Sequence, residues 1–180
     1  MERVVVIGGG GNAGLCAAIE SAERGGSEVI LIEASPEALR GGGNSKYTRD
    51  IRYAHGEDRF TSGEYPRREL LEDLRKVSGS SFSSSLAEMV VERSELIPEW
   101  MHRHGVRFKR EIRGGTLDLN RTNAFFMGGG KFLVDTYYSY LSKLKVRVLY
   151  ETQVVSVGIR GGNRITHVGG ATVPRWQCKY

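Results

Sequence analysis

Val4-Val5-Val6-Ile7-Gly8-Gly9-Gly10-Gly11-Asn12-Ala13-Gly14 is the stretch on which the reading of this chain turns. Four β-branched residues in succession read as a strand buried on both faces of a parallel sheet. Four glycines then end the run. From Asn12 to Arg24 the small and apolar residues Ala13, Leu15, Ala17, Ala18, Ile19 and Ala22 favour a helix, and Gly25-Gly26 supplies its stop. Val29-Ile30-Leu31-Ile32 is a second buried strand and ends on Glu33. Strand, glycine turn, helix and strand form a βαβ unit.

Within that unit Gly9, Gly11 and Gly14 fit the spacing G-x-G-x-x-G, and Glu33 closes the second strand. The first glycine of such a fingerprint makes a tight turn, the second admits a pyrophosphate, and the third lets helix and strand pack closely. The helix N-terminus then presents unpaired N–H groups and its positive dipole end to the phosphates. A carboxylate at Glu33 accepts hydrogen bonds from a ribose diol and repels a 2′-phosphate, which disfavours NADP. The fold class expected is therefore α/β, a Rossmann-like FAD/NAD(P)-binding domain. The fourth glycine leaves a second register open, with Gly8, Gly10 and Ala13 in the three places.

Downstream, Arg40 to Thr48 carries a second cluster of donors: the backbone N–H groups of Gly42 and Gly43 with the side chains of Asn44, Ser45 and Thr48. Two phosphates and a flavin ring need more polar contacts than one fingerprint provides, so this cluster favours FAD over NAD. Ala34 to Tyr65 reads as a long loop carrying short elements, which in a packed domain is usually functional. Leu70, Leu71, Leu74 and Val77 follow Pro66 at helical spacing, and a second helical pattern runs through Leu86, Met89, Val90, Ile97, Trp100 and Met101. Pro98 inside that pattern predicts two shorter helices. The helical stretch, about residues 66–113, is expected as an insertion in one partial FAD-binding domain spanning 1–180. Leu133, Val134, Tyr137, Leu141 and Leu144 predict a further amphipathic helix; Val146 to Tyr150 and Gln153 to Ile159 predict strands; and Gly161-Gly162-Asn163 reads as a hairpin turn into Ile165–Val168.

Composition sets outer limits. The 180 residues are 39% hydrophobic and 26% charged, which suits a packed core, and no stretch has the roughly 18 consecutive apolar residues of a membrane span. Cys16 and Cys178 are too few for a disulfide framework or a zinc site, so no metal is expected and the setting is read as cytoplasmic. Of the net charge of +5, the window Met101–Arg121 supplies +4, with six Lys/Arg against Glu111 and Asp118. No nucleic-acid motif accompanies this patch, so nucleic acid is not an expected partner. His102 and His104 lie two apart and point to different helix faces, which suits neither a metal pair nor a catalytic dyad. Tyr138, like His102 and His104, is a candidate proton carrier by chemistry, and packing accounts equally for Tyr137, Tyr138 and Tyr140 on one helix. Gly128-Gly129-Gly130 followed by Lys131 reads either as an anion site at a helix start or as a connecting loop.

Glu33 followed nine residues later by Gly-Gly-Asn-Ser resembles the FAD-binding fold of the fumarate reductase and succinate dehydrogenase flavoprotein family. Within it the chain is most similar to the tricarballylate dehydrogenase branch, through GGNAGLCAAI (10–19), RGGGNSKYTRDIR (40–52), WMHRHGVRF (100–108) and RTNAFFMGGGKFLVDTYY (121–138). Fumarate reductases place a second Ala-Gly-Gly step where this chain has Thr48-Arg49-Asp50-Ile51. The resemblance implies an FAD-dependent dehydrogenase that oxidises tricarballylate, a small tricarboxylate, to cis-aconitate and hands electrons to an iron–sulfur membrane partner. It also implies that Val154 holds adenine through backbone groups. Such chemistry needs cations for the carboxylates, and a guanidinium fork matches a carboxylate bidentately. Arg49 is the first candidate for that clamp, ahead of Arg52, Arg107 and Arg121; no catalytic base is nominated. Members of the family are much longer, so an N-terminal fragment with an aberrant tail over 172–180 is expected. The alternatives are an inactive remnant that keeps nucleotide binding, or another fumarate reductase-like flavoprotein.

Overall fold

The structure is a computed structural model that describes residues 3–41, 43–109, 119–162 and 164–173. In chain order its elements are β1 (Arg3–Gly8), α1 (Asn12–Glu23), β2 (Ser27–Ile32), α2 (Asn44–Tyr47), β3 (Asp50–Arg52), α3 (Arg67–Ser78), α4 (Ser84–Ser94), α5 (Ile97–Arg103), β4 (Asn123–Phe125), α6 (Gly129–Lys143), β5 (Arg147–Leu149), β6 (Thr152–Arg160) and β7 (Arg164–Thr172). They fall into two compact units, residues 1–47 with 134–180 and residues 48–133.

The first unit is built on a parallel sheet of order β1-β2-β5, with Val5 opposite Val29 and Leu31 opposite Val148. This is the βαβ unit expected from the β-branched runs. Val29, Ile30, Leu31 and Ile32 are buried, as a central strand covered on both faces requires. β1 differs from expectation. Val4 and Val6 are 50% and 37% exposed, because β1 is the edge strand of the described sheet and one of its faces is uncovered. Leu15, Ala18 and Ile19 bury the inner stripe of α1. α6 runs beside it, and Tyr140 donates to the Glu23 carboxylate at 2.8 Å. Its apolar stripe, Val134, Tyr137 and Leu141, is buried at the spacing the sequence predicts, and Tyr138 joins it.

Strands β6 and β7 form an antiparallel hairpin turned through Gly161 and Gly162, both at positive φ. It extends to Thr172, which pairs with Thr152, so the first residue of the expected aberrant tail is in the ladder; residues 174–180, with Cys178, lie outside the described residues, as does Asn163.

The second unit pairs β3 with β4 antiparallel and extends β4 through a Phe108–Phe126 bridge. Two three-residue strands seventy residues apart carry no sequence signal, and neither was expected. Helices α3, α4 and α5 lie within the predicted helical stretch. Pro98 sits in the first turn of α5, where its missing N–H costs no hydrogen bond, so the pattern divides into two helices as expected. The buried face of α4 is not the predicted one. Leu86, Met89 and Val90 are exposed, whereas Val91 packs with Ala54, Tyr65 and Leu70 into a small core and Ser94 receives the Ala54 N–H at 2.9 Å. Among the described residues no helix is long and apolar enough to cross a membrane.

Candidate cofactor site

The site is the turn between β1 and α1. Gly9 stands at φ +94°, a conformation that side chains disfavour, and its N–H continues the sheet ladder to the Ile32 carbonyl at 2.7 Å. A Cβ on Gly14 would lie 1.9 Å from the Gly9 carbonyl oxygen, so only glycine allows the first turn of α1 to close on this loop. Positive φ at Gly9 and the close approach at Gly14 suit the turn and packing places in the register Gly9, Gly11, Gly14.

Gly10, between them, is buried and gripped from both sides. Its N–H donates to Glu33 Oε2 at 2.7 Å, and its carbonyl accepts the Tyr138 hydroxyl at 3.1 Å. A Cβ there would fall 1.9 Å from the Tyr138 oxygen and 2.5 Å from the Glu33 carboxylate. Gly11 is the exception. Its φ of −80° suits any residue, and a Cβ would meet nothing closer than Ser45 Oγ at 3.7 Å. Neither conformation nor packing asks for glycine at this place.

Gly11 caps α1, whose first turn contains no acidic residue. Leu15 donates to Gly11, which leaves the Ala13 and Gly14 N–H groups without a partner inside the helix. These donors and the helix dipole suit an anion. Ser45, at the start of α2, accepts the Asn12 N–H at 3.0 Å and so joins the second donor cluster to the first. Gly43 stands at φ +72° and Asn44 opens α2; Gly42 lies outside the described residues.

At the far end Glu33 is fixed by the Gly10 N–H and, through Oε1, by the Ser35 N–H at 2.8 Å. Each oxygen keeps a lone pair for a further donor. Its own backbone joins the Leu149 carbonyl, which holds the acid at the C-terminal edge of the sheet where ligands of α/β folds bind. Arg40 closes this end: its guanidinium lies 4.7 Å over the Tyr138 ring, bonds Glu37 at 2.9 Å and reaches the Tyr150 hydroxyl at 3.4 Å. Burial, reinforced by the Glu33 charge, raises the Tyr138 phenol pKa above its ordinary value and keeps it a proton donor. Val154 packs its side chain 3.4 Å from the position of a Cβ on Gly8, and the β6–β7 register shifts between Val154 and Ser156. Sequence reasoning missed Arg40, since an arginine in a polar loop carries no signal, and weighed Tyr138 as a proton carrier or a packing residue, not as a partner of the glycine turn.

Thr48 and Arg49 belong to the second unit. The Thr48 hydroxyl donates to the Asp50 carbonyl at 3.1 Å, and Arg49 is exposed. The Arg49 and Arg107 carbonyls accept the N–H groups of Phe126 and Met127, at 2.9 and 2.8 Å, so the two arginines flank one strand extension. Arg121 is separated from them as a structural group, forked onto Glu69 and bonded to the Glu64 carbonyl. Arg52 bonds Asn123 Oδ1 at 3.4 Å. In the triple glycine the Gly129 and Gly130 N–H groups go to the Phe126 and Thr48 carbonyls, which favours the connecting-loop reading over an anion site. His104 is buried with Nδ1 2.6 Å from the Trp100 carbonyl, and Cys16 is a thiol pushed up to about 11 by burial. Among the described residues no three His, Cys, Asp or Glu side chains gather to hold a metal.

Comparison with known proteins agrees with this geometry. The model of the FAD binding domain family matches residues 3–177. Among solved structures, the 3-ketosteroid-Δ4-(5α)-dehydrogenase of Rhodococcus jostii RHA1 superposes with a TM-score of 0.77 at 18% identity, over 94% of this chain and 42% of that one. A flavocytochrome c3 fumarate reductase in its open conformation gives 0.74 at 20% identity, over 95% and 30%. The quinol fumarate reductase of E. coli gives 0.70 at 13%, over 94% and 30%. This chain thus spans less than half the length of these neighbours, and the likeness establishes a shared fold. No curated protein matched it. With 175 of 180 residues inside the family model, the chain belongs to the FAD binding domain family, and its cofactor is FAD.

Proposed function

We propose that this chain is the cofactor-binding part of an FAD-dependent oxidoreductase of the fumarate reductase and succinate dehydrogenase flavoprotein type. Gly11 carries the reading: it is the one fingerprint glycine whose missing side chain serves no internal need, and it stands between the helix N-terminus and Ser45. Gly9 and Gly14 shape the turn, Gly11 admits the diphosphate, and Glu33 receives the ribose diol. Gly42, Gly43, Asn44 and Ser45 contribute the second donor set, and Val154, beside the register shift of β6, offers backbone groups to adenine.

The substrate class we favour is a small carboxylate, tricarballylate being the first choice on the motifs at 40–52 and 121–138. Its oxidation to cis-aconitate removes one hydride and one proton from adjacent carbons, and FAD supplies the hydride acceptor when bound. This chain contributes cationic clamps: Arg49, with Arg107 across the same strand extension, orients the carboxylates, and an iron–sulfur partner receives the electrons. Because the chain spans 30–42% of its structural neighbours, a second reading is that alone it binds FAD without turnover.

The test is to purify the chain, add FAD and separate free flavin. A yellow protein with flavin absorbance supports the reading, and colourless protein sinks it. Tricarballylate-dependent reduction of an artificial acceptor excludes the second reading.

A further inference from the structure

We infer that Tyr138 is a positioning residue that aims the Gly11 N–H at the cofactor diphosphate. The inference rests on the proposed FAD site and assigns it a member that lies on α6, outside the fingerprint. The Tyr138 hydroxyl donates to the Gly10 carbonyl at 3.1 Å in a buried setting. That carbonyl and the Gly11 N–H belong to one planar trans peptide, in which C=O and N–H point in opposite directions. Holding the carbonyl toward α6 therefore turns the Gly11 N–H away from α6. The preceding peptide is fixed as well, since the Gly10 N–H is bonded to Glu33 at 2.7 Å. With both peptides around Gly10 immobilised, the donor at Gly11 is set before any ligand arrives, and binding loses less conformational freedom.

The phenol is itself held. Arg40 lies 4.7 Å over its ring and is anchored by Glu37 at 2.9 Å and Asp135 at 3.7 Å. Tyr150 stands 6.1 Å from it, ring to ring. Burial and the neighbouring Glu33 carboxylate favour the neutral hydroxyl, the form that can donate. Packing alone does not ask for a hydroxyl here, because phenylalanine fills the same volume.

Tyr138→Phe keeps the ring and its contact with Arg40 and removes only the donor. Calorimetric titrations of wild type and variant with FAD, ADP and adenosine, with far-UV circular dichroism as the check on folding, separate the alternatives. The expected result is FAD and ADP affinity reduced about three- to tenfold and adenosine affinity unchanged. In wild-type protein labelled with 15N-glycine, the Gly11 amide resonance should shift with ADP and stay in place with adenosine, a readout that holds even if the variant folds poorly. Equal ADP affinity in the two proteins, equal losses for ADP and adenosine, or a Gly11 resonance indifferent to ADP each overturns the inference. Wild-type protein that binds neither ADP nor FAD overturns the site itself, a result distinct from the other three.

Discussion

Two alanine substitutions three residues apart should separate folding from binding in this turn. At Gly14 the added methyl would lie 1.9 Å from the Gly9 carbonyl oxygen, a backbone atom that cannot rotate aside. The loop must open by about 1 Å, against a packed helix, before the contact becomes tolerable. Overpacking of this kind costs about 1–3 kcal/mol, and the better helix propensity of alanine returns up to about 1 kcal/mol. Gly14→Ala is therefore expected to lower the unfolding free energy by about 1–2 kcal/mol and to weaken FAD binding as a consequence. At Gly11 the methyl meets only Ser45 Oγ at 3.7 Å, and φ is −80°. Apart from the poorer N-cap, worth about 1 kcal/mol at most, Gly11→Ala leaves the protein intact. Its methyl instead occupies the place proposed for the diphosphate, so FAD affinity should fall at least about tenfold, a binding loss near 1.4 kcal/mol. Urea denaturation followed by far-UV circular dichroism reads the first effect, and flavin fluorescence titration reads the second. A Gly11→Ala protein that binds FAD as wild type does would refute the assignment of that glycine to a ligand, and a Gly14→Ala protein of undiminished stability would refute the packing argument.

Glu33→Ala removes the acceptor of the Gly10 and Ser35 N–H groups together with the proposed ribose contact, and hydrogen bonds to a charged group are worth about 1.5–3 kcal/mol. FAD titration should show a loss of about ten- to a hundredfold. Asp58 accepts from the Tyr53 hydroxyl at 2.6 Å, from the Phe60 and Thr61 N–H groups and from the Thr61 hydroxyl. Burial alone would raise its pKa, but these donors outweigh it and lower the carboxyl below its ordinary value. A depressed folded pKa means that the contribution is fully present above the unfolded value of about 3.9 and is lost as pH falls through the folded one. Asp58→Asn should accordingly cost about 1 kcal/mol at neutral pH, and denaturation at a series of pH values should show the gap to wild type closing below about pH 4. Arg121→Ala breaks a half-exposed fork to Glu69 and should lower stability by up to about 1 kcal/mol, with FAD affinity unchanged in the same titration. Arg49→Ala, which removes an exposed guanidinium, should leave the melting temperature in place and raise KM for a tricarboxylate in whichever preparation turns it over.

The parts legible in the sequence are those whose cause is local. Val29 to Ile32 is apolar without interruption, and the strand is buried on both faces; α6 shows its stripe at helical spacing; Pro98 divides a helix because a missing N–H acts within one turn. What the sequence hides is set by partners far along the chain. β3 and β4 are three residues each and exist because Asp50 meets Phe125 and Arg52 meets Asn123. Val4 and Val6 have the composition of a core strand and the exposure of an edge, a difference that depends on which strands stand beside them.

The glycine turn shows how the two kinds of information combine. Spacing alone offered two registers, since four successive glycines satisfy the pattern twice. A dihedral angle at Gly9 and the approach of Gly14 to the Gly9 carbonyl, both consequences of a helix folding back on a strand, favour the register that begins at Gly9. Gly10 then owes its lack of a side chain to Glu33, 23 residues on, and to Tyr138, 128 residues on. Its neighbour Gly11 owes that lack to nothing in the protein. A run of four identical residues thus divides into two, Gly9 and Gly10, that the fold requires to be glycine and two, Gly8 and Gly11, where a methyl group would make only ordinary contacts, and the division follows from asking of each glycine what a methyl group there would strike.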